Sequence, residues 1–180
     1  MQPELEHVLY DKIILWPRPK PRRRPRVLFY RAPGVTADGG EASVLIVIDV
    51  QRGFDDPSWG RRNNPQCEKN IGELIDQWRT LDWPIVFVRH DSLSPDSPLF
   101  AAGPGNALKL EVRGEPDLMV AKHTNSAFYG TPDLHQWLTE HKHDAVTICG
   151  ITTNHCCETT ARMAPACQAE LRPAVHSKSA

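Results

Sequence analysis

Three side chains suited to catalysis stand where an apolar run of the sequence ends. Asp49 lies at the end of SVLIVIDV, Lys122 closes DLMVAK, and Cys156 follows DAVTICG within the segment GITTNHCCETT. A carboxylate can accept a proton, an ammonium group can stabilise negative charge, and a thiol can attack a carbonyl carbon to form a covalent intermediate. These three residue types together are suited to nucleophilic chemistry at a carbonyl group.

The runs that carry these residues predict strands, and the segments between them predict helices. Continuous apolar runs are typical of strands buried on both faces, and IVFVRH after Pro84 is a further one. Two amphipathic segments are predicted to start at Asn64-Pro65 and at Thr131-Pro132. Their apolar stripes are Ile71, Leu74, Ile75 and Trp78 in the first and Leu134, Trp137, Leu138 and His141 in the second. We predict an α/β fold of three layers, α/β/α, with a mostly parallel sheet.

The paired cysteines follow the last predicted strand, at the start of a predicted helix. In open α/β sheets the active site lies beyond the carboxyl ends of the strands. A thiol in the first turn of a helix is biased towards the thiolate, and the free N–H groups of Thr152 and Cys156 are suited to hold an oxyanion. Cys157 is rotated by about 100° from Cys156 on an ideal helix, so the two thiols cannot face the same cleft.

Each of these residues also has an ordinary structural interpretation. A cysteine after a strand is more often part of the core than a nucleophile. Asp49 taken alone is compatible with capping a turn, and Lys122 with a solvated strand end. The residue types and their positions leave these alternatives open.

Three segments carry a resemblance to a known family. VLIVIDVQRGF, VAKHTNSAF and GITTNHCCETTAR, in this order, resemble the three signature segments of the isochorismatase-like cysteine hydrolases, a superfamily that includes nicotinamidases and N-carbamoylsarcosine amidase. The resemblance covers residues 43–163 and implies a Rossmann-like isochorismatase-like hydrolase fold. It also implies a catalytic triad of Asp49, Lys122 and Cys156, and a cis peptide bond between Ile151 and Thr152.

The physical roles of such a triad follow from its groups. Asp49 would accept the thiol proton and return it to the leaving amine, while Lys122 would hold the carboxylate and the thiolate by charge. Cys156 would form an acyl-enzyme that water hydrolyses.

Further residues near the predicted strand ends are candidates for the substrate pocket, although each is also compatible with an ordinary loop position. They are Gln51, Phe54, Trp59, His90, Asn125 and Phe128. The nicotinamidase subgroup binds a metal through an Asp-x-His unit and a further His, but QRGFDDPSWGRRN contains no His. We therefore expect no metal and no cofactor, and nicotinamide becomes a less favoured substrate.

The chain divides by composition into three parts. Residues 1–41 contain PRPKPRRRPR and are predicted to be a disordered extension, because prolines prevent helix formation and like charges repel. A basic RNA-binding arm, a nuclear signal and a ligand for an SH3-type domain are alternatives for this part. The hydrolase domain is assigned to residues 42–163, and residues 164–180 to an irregular tail.

The tail departs from the family pattern. The family's chain normally adds at least one more parallel strand, with helices, after the cysteine helix, whereas APACQAELRPAVHSKSA has no strand-like run. Pro165 is predicted to end the helix after little more than two turns. The fold is therefore predicted to be incomplete at its C-terminus, from a truncated or frameshifted coding sequence, and the cysteine strand is predicted to be an exposed sheet edge.

Composition restricts the class of protein. A formal net charge of -1 gives no general attraction to nucleic acid or membranes, and the longest apolar run, VLIVI, is too short to cross a bilayer. Five cysteines without a C-x-x-C motif favour a reducing, cytoplasmic setting. We expect a cytoplasmic hydrolase of a small amide that binds neither nucleic acid nor membranes and that is open to homo-oligomer formation. The alternatives are a catalytically impaired binding protein and a basic-tailed nucleic-acid binder.

Overall fold

The computed structural model describes residues 8–9, 43–62 and 64–167. The strands are β1 (Val8–Leu9), β2 (Val44–Ile48), β3 (Arg61–Arg62), β4 (Ile85–His90), β5 (Leu118–Lys122) and β6 (Val146–Gly150). The helices are α1 (Cys67–Thr80), α2 (Leu134–Glu140) and α3 (Glu158–Cys167). Short 3-10 turns occupy Arg52–Asp55, Pro57–Trp59, Pro104–Asn106 and Ala127–Tyr129. Helix α1 separates β2 from β4 and α2 separates β5 from β6, as the sequence predicts, whereas only a 3-10 turn lies between β4 and β5.

The central sheet is parallel and has four strands in the order β5-β4-β2-β6. Its register places Ile48 opposite both Val88 and Gly150, and His90 opposite Lys122. The carboxyl ends of all four strands therefore meet at one edge of the sheet, which confirms the predicted α/β fold.

Helices cover both faces of this sheet. Along β2, Leu45 and Val47 pack with α1 on one face, while Val44, Ile46 and Ile48 pack with α2 and α3 on the other. This alternation explains why the strand is apolar at every position instead of at every second one, because each face lies against its own core. The result is the predicted three-layer architecture.

Helix α1 buries its predicted apolar stripe, whereas α2 buries only Leu134 and Leu138 and leaves His141 exposed. Both helices also start at other residues than predicted. In α1 the four predicted stripe residues are buried, and the helix begins at Cys67, after a turn in which Asn64 Oδ1 accepts a hydrogen bond from the Gln66 amide at 3.2 Å. In α2 the cap is Asp133, whose Oδ1 accepts from the Gln136 amide at 2.9 Å. Among the described residues, no helix has the length and apolar character needed to span a bilayer.

Two features lie near the ends predicted for the domain. Helix α3 continues past Pro165 to Cys167, although Pro165 was expected to end it. A proline so close to the end of a helix removes only one N–H group and leaves few later bonds to disturb. Val8–Leu9, inside the predicted disordered extension, forms β1 and pairs in parallel with β3. The other residues of that extension, and residues 168–180 of the predicted tail, lie outside the described residues.

Candidate active site

The strand ends bring the three predicted catalytic side chains together. Lys122 Nζ donates a hydrogen bond to Asp49 Oδ2 at 2.6 Å and another to Cys156 Sγ at 3.5 Å. The exposed fraction is 0% for Asp49, 0% for Lys122 and 8% for Cys156. A thiol thus lies against a buried ion pair at the carboxyl edge of the sheet.

Local backbone geometry sets the position of the carboxylate. Asp49 follows β2 with a φ of 54°, in the left-handed region that non-glycine residues rarely adopt. Its amide donates to Val88 O at 2.9 Å, which ties it to β4. Gly150, at the end of β6, has a φ of 146°, and a Cβ there would lie 2.0 Å from Ile48 O. Only glycine lets β6 approach β2 so closely at the level of Asp49.

The thiol is positioned by a turn that the sequence did not predict. The Ile151–Thr152 peptide bond is cis, as the resemblance implies, and Thr153–Cys157 form a single π-helical turn ahead of α3. In this turn the Cys157 amide donates to Thr152 O at 3.2 Å. Such π turns occur frequently at functional sites. Cys157 is 1% exposed and fully enclosed in the core, so Cys156 is the thiol beside Lys122.

Burial of the thiol opposes the predicted bias towards thiolate. Burial raises the pKa of Cys156 to about 12, and the negative charge of Asp49 adds to the effect, against the opposing charge of Lys122. The pKa of Asp49 is also raised, because burial outweighs the attraction of Lys122. Desolvation therefore dominates any effect of the helix start on the thiol. The carboxylate retains one oxygen, Oδ1, without a hydrogen-bond partner among the described residues.

Two of the predicted pocket residues meet at the end of β4. His90 Nδ1 lies 3.3 Å from Lys122 Nζ, so His90 adjoins the triad. Gln51 does not present its amide to a pocket. Its Oε1 accepts from the His90 amide at 2.9 Å, and its Nε2 donates to His90 O at 3.0 Å and to Asn106 O at 2.9 Å. Gln51 is thus a buried clamp on the backbone of His90.

Within the described part of the chain, the other predicted pocket residues make no hydrogen bond to the side chains of Asp49, Lys122 or Cys156. Phe54 is buried on the α1 side, and its ring lies 4.9 Å from that of Trp59, whose Nε1 donates to Gly53 O. Phe128 is buried in the same apolar cluster as Cys156. Asn125 is exposed.

Two positioning residues were missed by the sequence reasoning. Asn106, which is 6% exposed, donates through Nδ2 to His90 O at 3.1 Å and to Asp91 Oδ1 at 3.0 Å. Thr160 Oγ1 accepts from the Ala127 amide at 3.0 Å and ties the loop after β5 to α3. No periodicity marks either residue, because each bonds to chain far away in sequence.

The geometry does not favour a metal at the triad. Ligand atoms of Asp49, His90 and Cys156 all lie within 4.8 Å of one another. However, the Lys122 ammonium group lies 2.6 Å from the carboxylate oxygen, 3.3 Å from the imidazole nitrogen and 3.5 Å from the sulfur. A cation at the centre of these ligands would meet a positive charge at contact distance. We therefore derive no catalytic step through a metal.

Comparisons with known proteins agree with the geometry. Residues 43–167 match the isochorismatase domain. The isochorismatase family protein YrdC of Bacillus subtilis, itself uncharacterized, is 38% identical over 124 residues, which are 68% of this chain and 66% of YrdC. Nicotinamidase 3 of Arabidopsis thaliana is 32% identical over 136 residues, and the match covers 68% of this chain and 65% of the relative. A Chromobacterium violaceum structure, described as a hydrolase of this family, has 37% sequence identity and a TM-score of 0.66. The match covers 74% of this chain and 68% of that structure's chain. The chain thus spans just under two thirds of the length of the two curated relatives, and it belongs to the isochorismatase family.

Proposed function

We propose that this protein hydrolyses a small amide-type C–N bond through a cysteine acyl-enzyme, with Asp49, Lys122 and Cys156 as the catalytic residues. The observation that carries the proposal is the contact between a thiol and a fully buried Lys–Asp ion pair that has an unused carboxylate oxygen. An arrangement of this kind is costly for the fold, because desolvated charges and unsatisfied acceptors are unfavourable in a protein interior. Such cost is typical of catalytic sites.

The first step forms the acyl-enzyme. Cys156 Sγ attacks the carbonyl carbon of the substrate, and the thiol proton passes to Asp49, where Oδ1 has no other partner. Because burial raises the pKa of the thiol, we place proton transfer to Asp49 together with the attack. Lys122 stabilises the negative charge that develops on sulfur. The amides of Thr152 and Cys156 are our candidates for holding the oxyanion.

The second step releases both products. Asp49 returns the proton to the leaving nitrogen as the C–N bond breaks, and an amine or ammonia departs. A water molecule then attacks the thioester carbon and gives its proton to the Asp49 carboxylate. The C–S bond breaks, the thiol is restored, and a carboxylic acid leaves. The net reaction consumes one water molecule for each amide.

The burial of the site favours a small substrate. Asp49 and Lys122 are both 0% exposed, so only a compact group attached to the reacting carbonyl can approach the sulfur. The relative named Nicotinamidase 3 supports an amide as the reacting group. The His residues expected of the metal-binding nicotinamidases are missing from residues 51–63, so we do not expect nicotinamide itself to be the substrate.

The test is a panel of small amides with detection of released ammonia, run in parallel on the unaltered chain, Cys156→Ala and Cys157→Ala. We expect turnover of at least one amide by the unaltered chain and by Cys157→Ala, and none by Cys156→Ala. Turnover that survives Cys156→Ala would contradict the mechanism. Absence of turnover on every member of a broad amide panel would contradict the substrate class.

A further inference from the structure

The ammonium group of Lys122 has a third neighbour besides the carboxylate and the thiol. It carries three hydrogens and lies 2.6 Å from Asp49 Oδ2, 3.5 Å from Cys156 Sγ and 3.3 Å from His90 Nδ1. Among the described residues, the number of neighbouring acceptors equals the number of hydrogens. His90 therefore completes the surroundings of a lysine that is 0% exposed.

This contact determines which ring nitrogen of His90 carries the proton. An ammonium group only donates, so His90 Nδ1 must be the acceptor and must carry no proton. The imidazole is then neutral, with its proton on Nε2. Protonation of Nδ1 would place two positively charged donors 3.3 Å apart and would break the contact.

The backbone of His90 is held more firmly than an ordinary strand end requires. The Gln51 side chain bonds to both the amide and the carbonyl of His90, and the Asn106 side chain bonds to the same carbonyl. Gln51 is 0% exposed and Asn106 is 6% exposed. Two buried amide side chains thus fix the backbone that carries this imidazole, on separate loops from Lys122.

The charges around His90 come from three places in the chain. Lys122 of β5 and Asp49 after β2 face it from neighbouring strands, and Asp91 and His123 follow the ends of β4 and β5. Burial and the positive charge of Lys122 lower the pKa of His90, and together they outweigh the opposing effects of Asp49 and Asp91. The neutral imidazole that the geometry requires is thus the form that its surroundings favour at neutral pH.

We propose that His90 is a positioning residue whose neutral Nδ1 accepts a hydrogen bond from Lys122 and thereby holds the ammonium group between Asp49 and Cys156. When His90 is protonated it repels Lys122, the ammonium group leaves its place beside the sulfur, and the site loses reactivity at acid pH. For turnover this inference rests on the proposed function, but the reactivity of the Cys156 thiol reports on it without any substrate.

The first experiment determines the tautomer directly on the unaltered chain. Nitrogen-15 chemical shifts of the imidazole rings are recorded at neutral pH, and His90 is assigned by the signal missing from His90→Asn. We expect the neutral tautomer with the proton on Nε2. A proton on Nδ1, or a doubly protonated ring at neutral pH, would overturn the proposal.

The second experiment measures the rate of Cys156 alkylation by iodoacetamide, followed by mass spectrometry. Asparagine places an amide oxygen close to where Nδ1 lies and cannot become charged, whereas phenylalanine provides no acceptor. We expect His90→Asn to react within about threefold of the unaltered chain, and His90→Phe to react roughly tenfold more slowly, the size typical of losing one hydrogen bond to a charged group. Replacement of an exposed histidine on α2, His135→Asn, is the matched control.

The pH dependence separates positioning from simple packing. As pH falls, the alkylation rate of the unaltered chain should drop relative to that of His90→Asn, because only the unaltered chain has an imidazole to protonate at this place. A constant ratio, or equal rates for His90→Phe and the unaltered chain, would overturn the proposal. If His90→Phe does not fold, as judged by circular dichroism, two measurements still test the proposal. They are the tautomer of His90 in the unaltered chain and the pH dependence of the rate ratio between the unaltered chain and His90→Asn. Failure of the amide panel would leave these thiol measurements intact and would count against the proposed function alone.

Discussion

Two buried lysines of this protein bind carboxylates in different ways. Lys109 is 8% exposed and pairs with Asp55 and Glu68, and Asp55 has a side chain that is 67% exposed. Lys122 is 0% exposed, and its partner Asp49 is also 0% exposed. Lys109 joins a 3-10 turn to α1, whereas Lys122 joins two strand ends to a thiol.

The carboxylates of the two pairs respond differently to their surroundings. Burial raises the pKa of Glu68, but hydrogen bonds from Arg62 and Lys109 outweigh it and the net shift is downward. For Asp49 burial prevails and the pKa is raised. The Lys109 network therefore stabilises the folded state, while the Lys122 pair keeps a basic carboxylate in a dry site. Under the proposed function, the difference teaches that ion pairs of similar geometry act as structural links or as catalytic groups according to how completely their charges are satisfied.

The largest expected effect is on the thiol that only the Lys122 pair contacts. Cys156→Ala should lower turnover by roughly three orders of magnitude or more, because no other group can form the acyl-enzyme. Cys157→Ala should keep turnover within about threefold and reduce the free energy of unfolding by about 1 kcal/mol, since it removes only a buried sulfur. Ammonia release and chemical denaturation measure the two quantities. Comparable loss of turnover in both variants would remove the distinction between the adjacent thiols.

The next largest effect is expected when each buried lysine is replaced by methionine. Lys122→Met should abolish turnover and reduce the free energy of unfolding by about 3 kcal/mol, because Asp49 is left buried without its partner. Lys109→Met should retain turnover and cost about 1 kcal/mol, because Asp55 is largely exposed and Glu68 keeps Arg62. Kinetics and denaturation of both variants test this.

A double variant sharpens the same comparison. Asp49→Asn combined with Lys122→Met removes both charges, so it should recover part of the stability that Lys122→Met loses while remaining inactive. If the double variant is less stable than Lys122→Met alone, the unpaired charge of Asp49 is not the source of the loss.

Activity and stability should depend on pH in different ways, because activity requires the Asp49 carboxylate and stability draws on the Glu68 carboxylate. Asp49 must be ionised to act as a base, so kcat/KM should fall as pH drops through its raised pKa. The net-lowered pKa of Glu68 means that its contribution to stability is present at neutral pH and is lost only as pH falls through that lower value. Activity should therefore disappear on acidification before the fold does. Rate profiles and thermal unfolding over the same pH range measure this order, and simultaneous loss would contradict it.

The smallest expected effect concerns charge removal without change of shape. Glu68→Gln should change the free energy of unfolding by no more than about 1 kcal/mol and leave turnover unaltered, because Asp55 remains paired with Lys109. The matched Asp49→Asn change should abolish turnover, since an amide cannot accept the thiol proton. Enzyme assays on the two variants provide the measurement. A loss of turnover in Glu68→Gln would show that the Lys109 network also serves the site.

Much of the fold was predictable from sequence because it depends on local patterns. Runs such as VLIVI gave β2 correctly, and the stripe of Ile71, Leu74, Ile75 and Trp78 gave the buried face of α1. Helix boundaries were less predictable. The first turn after β6 is π-helical, and α3 passes Pro165 because a proline close to the end of a helix removes only one N–H group.

Some site residues were predictable from the sequence and others were not. The position of Asp49, Lys122 and Cys156 at the ends of strand-forming runs indicated that they could meet, since parallel strands end at one edge, and the resemblance singled them out as a set. The role of Gln51 was not predictable, because its amide is used by the backbone of His90, which is 39 residues away in the chain. Asn106 was missed for the same reason.

By itself the sequence determined which reactive groups stand at the ends of the strands, because apolar runs and amphipathic stripes specify a parallel sheet covered by helices. Only the tertiary structure decided the state of those groups. The raised pKa values of Cys156 and Asp49 and the contact of His90 with Lys122 all result from burial at the junction of strands and loops. Solvation and charge coupling depend on which atoms surround a group in space, and this information is not carried by the residues next to it in the chain.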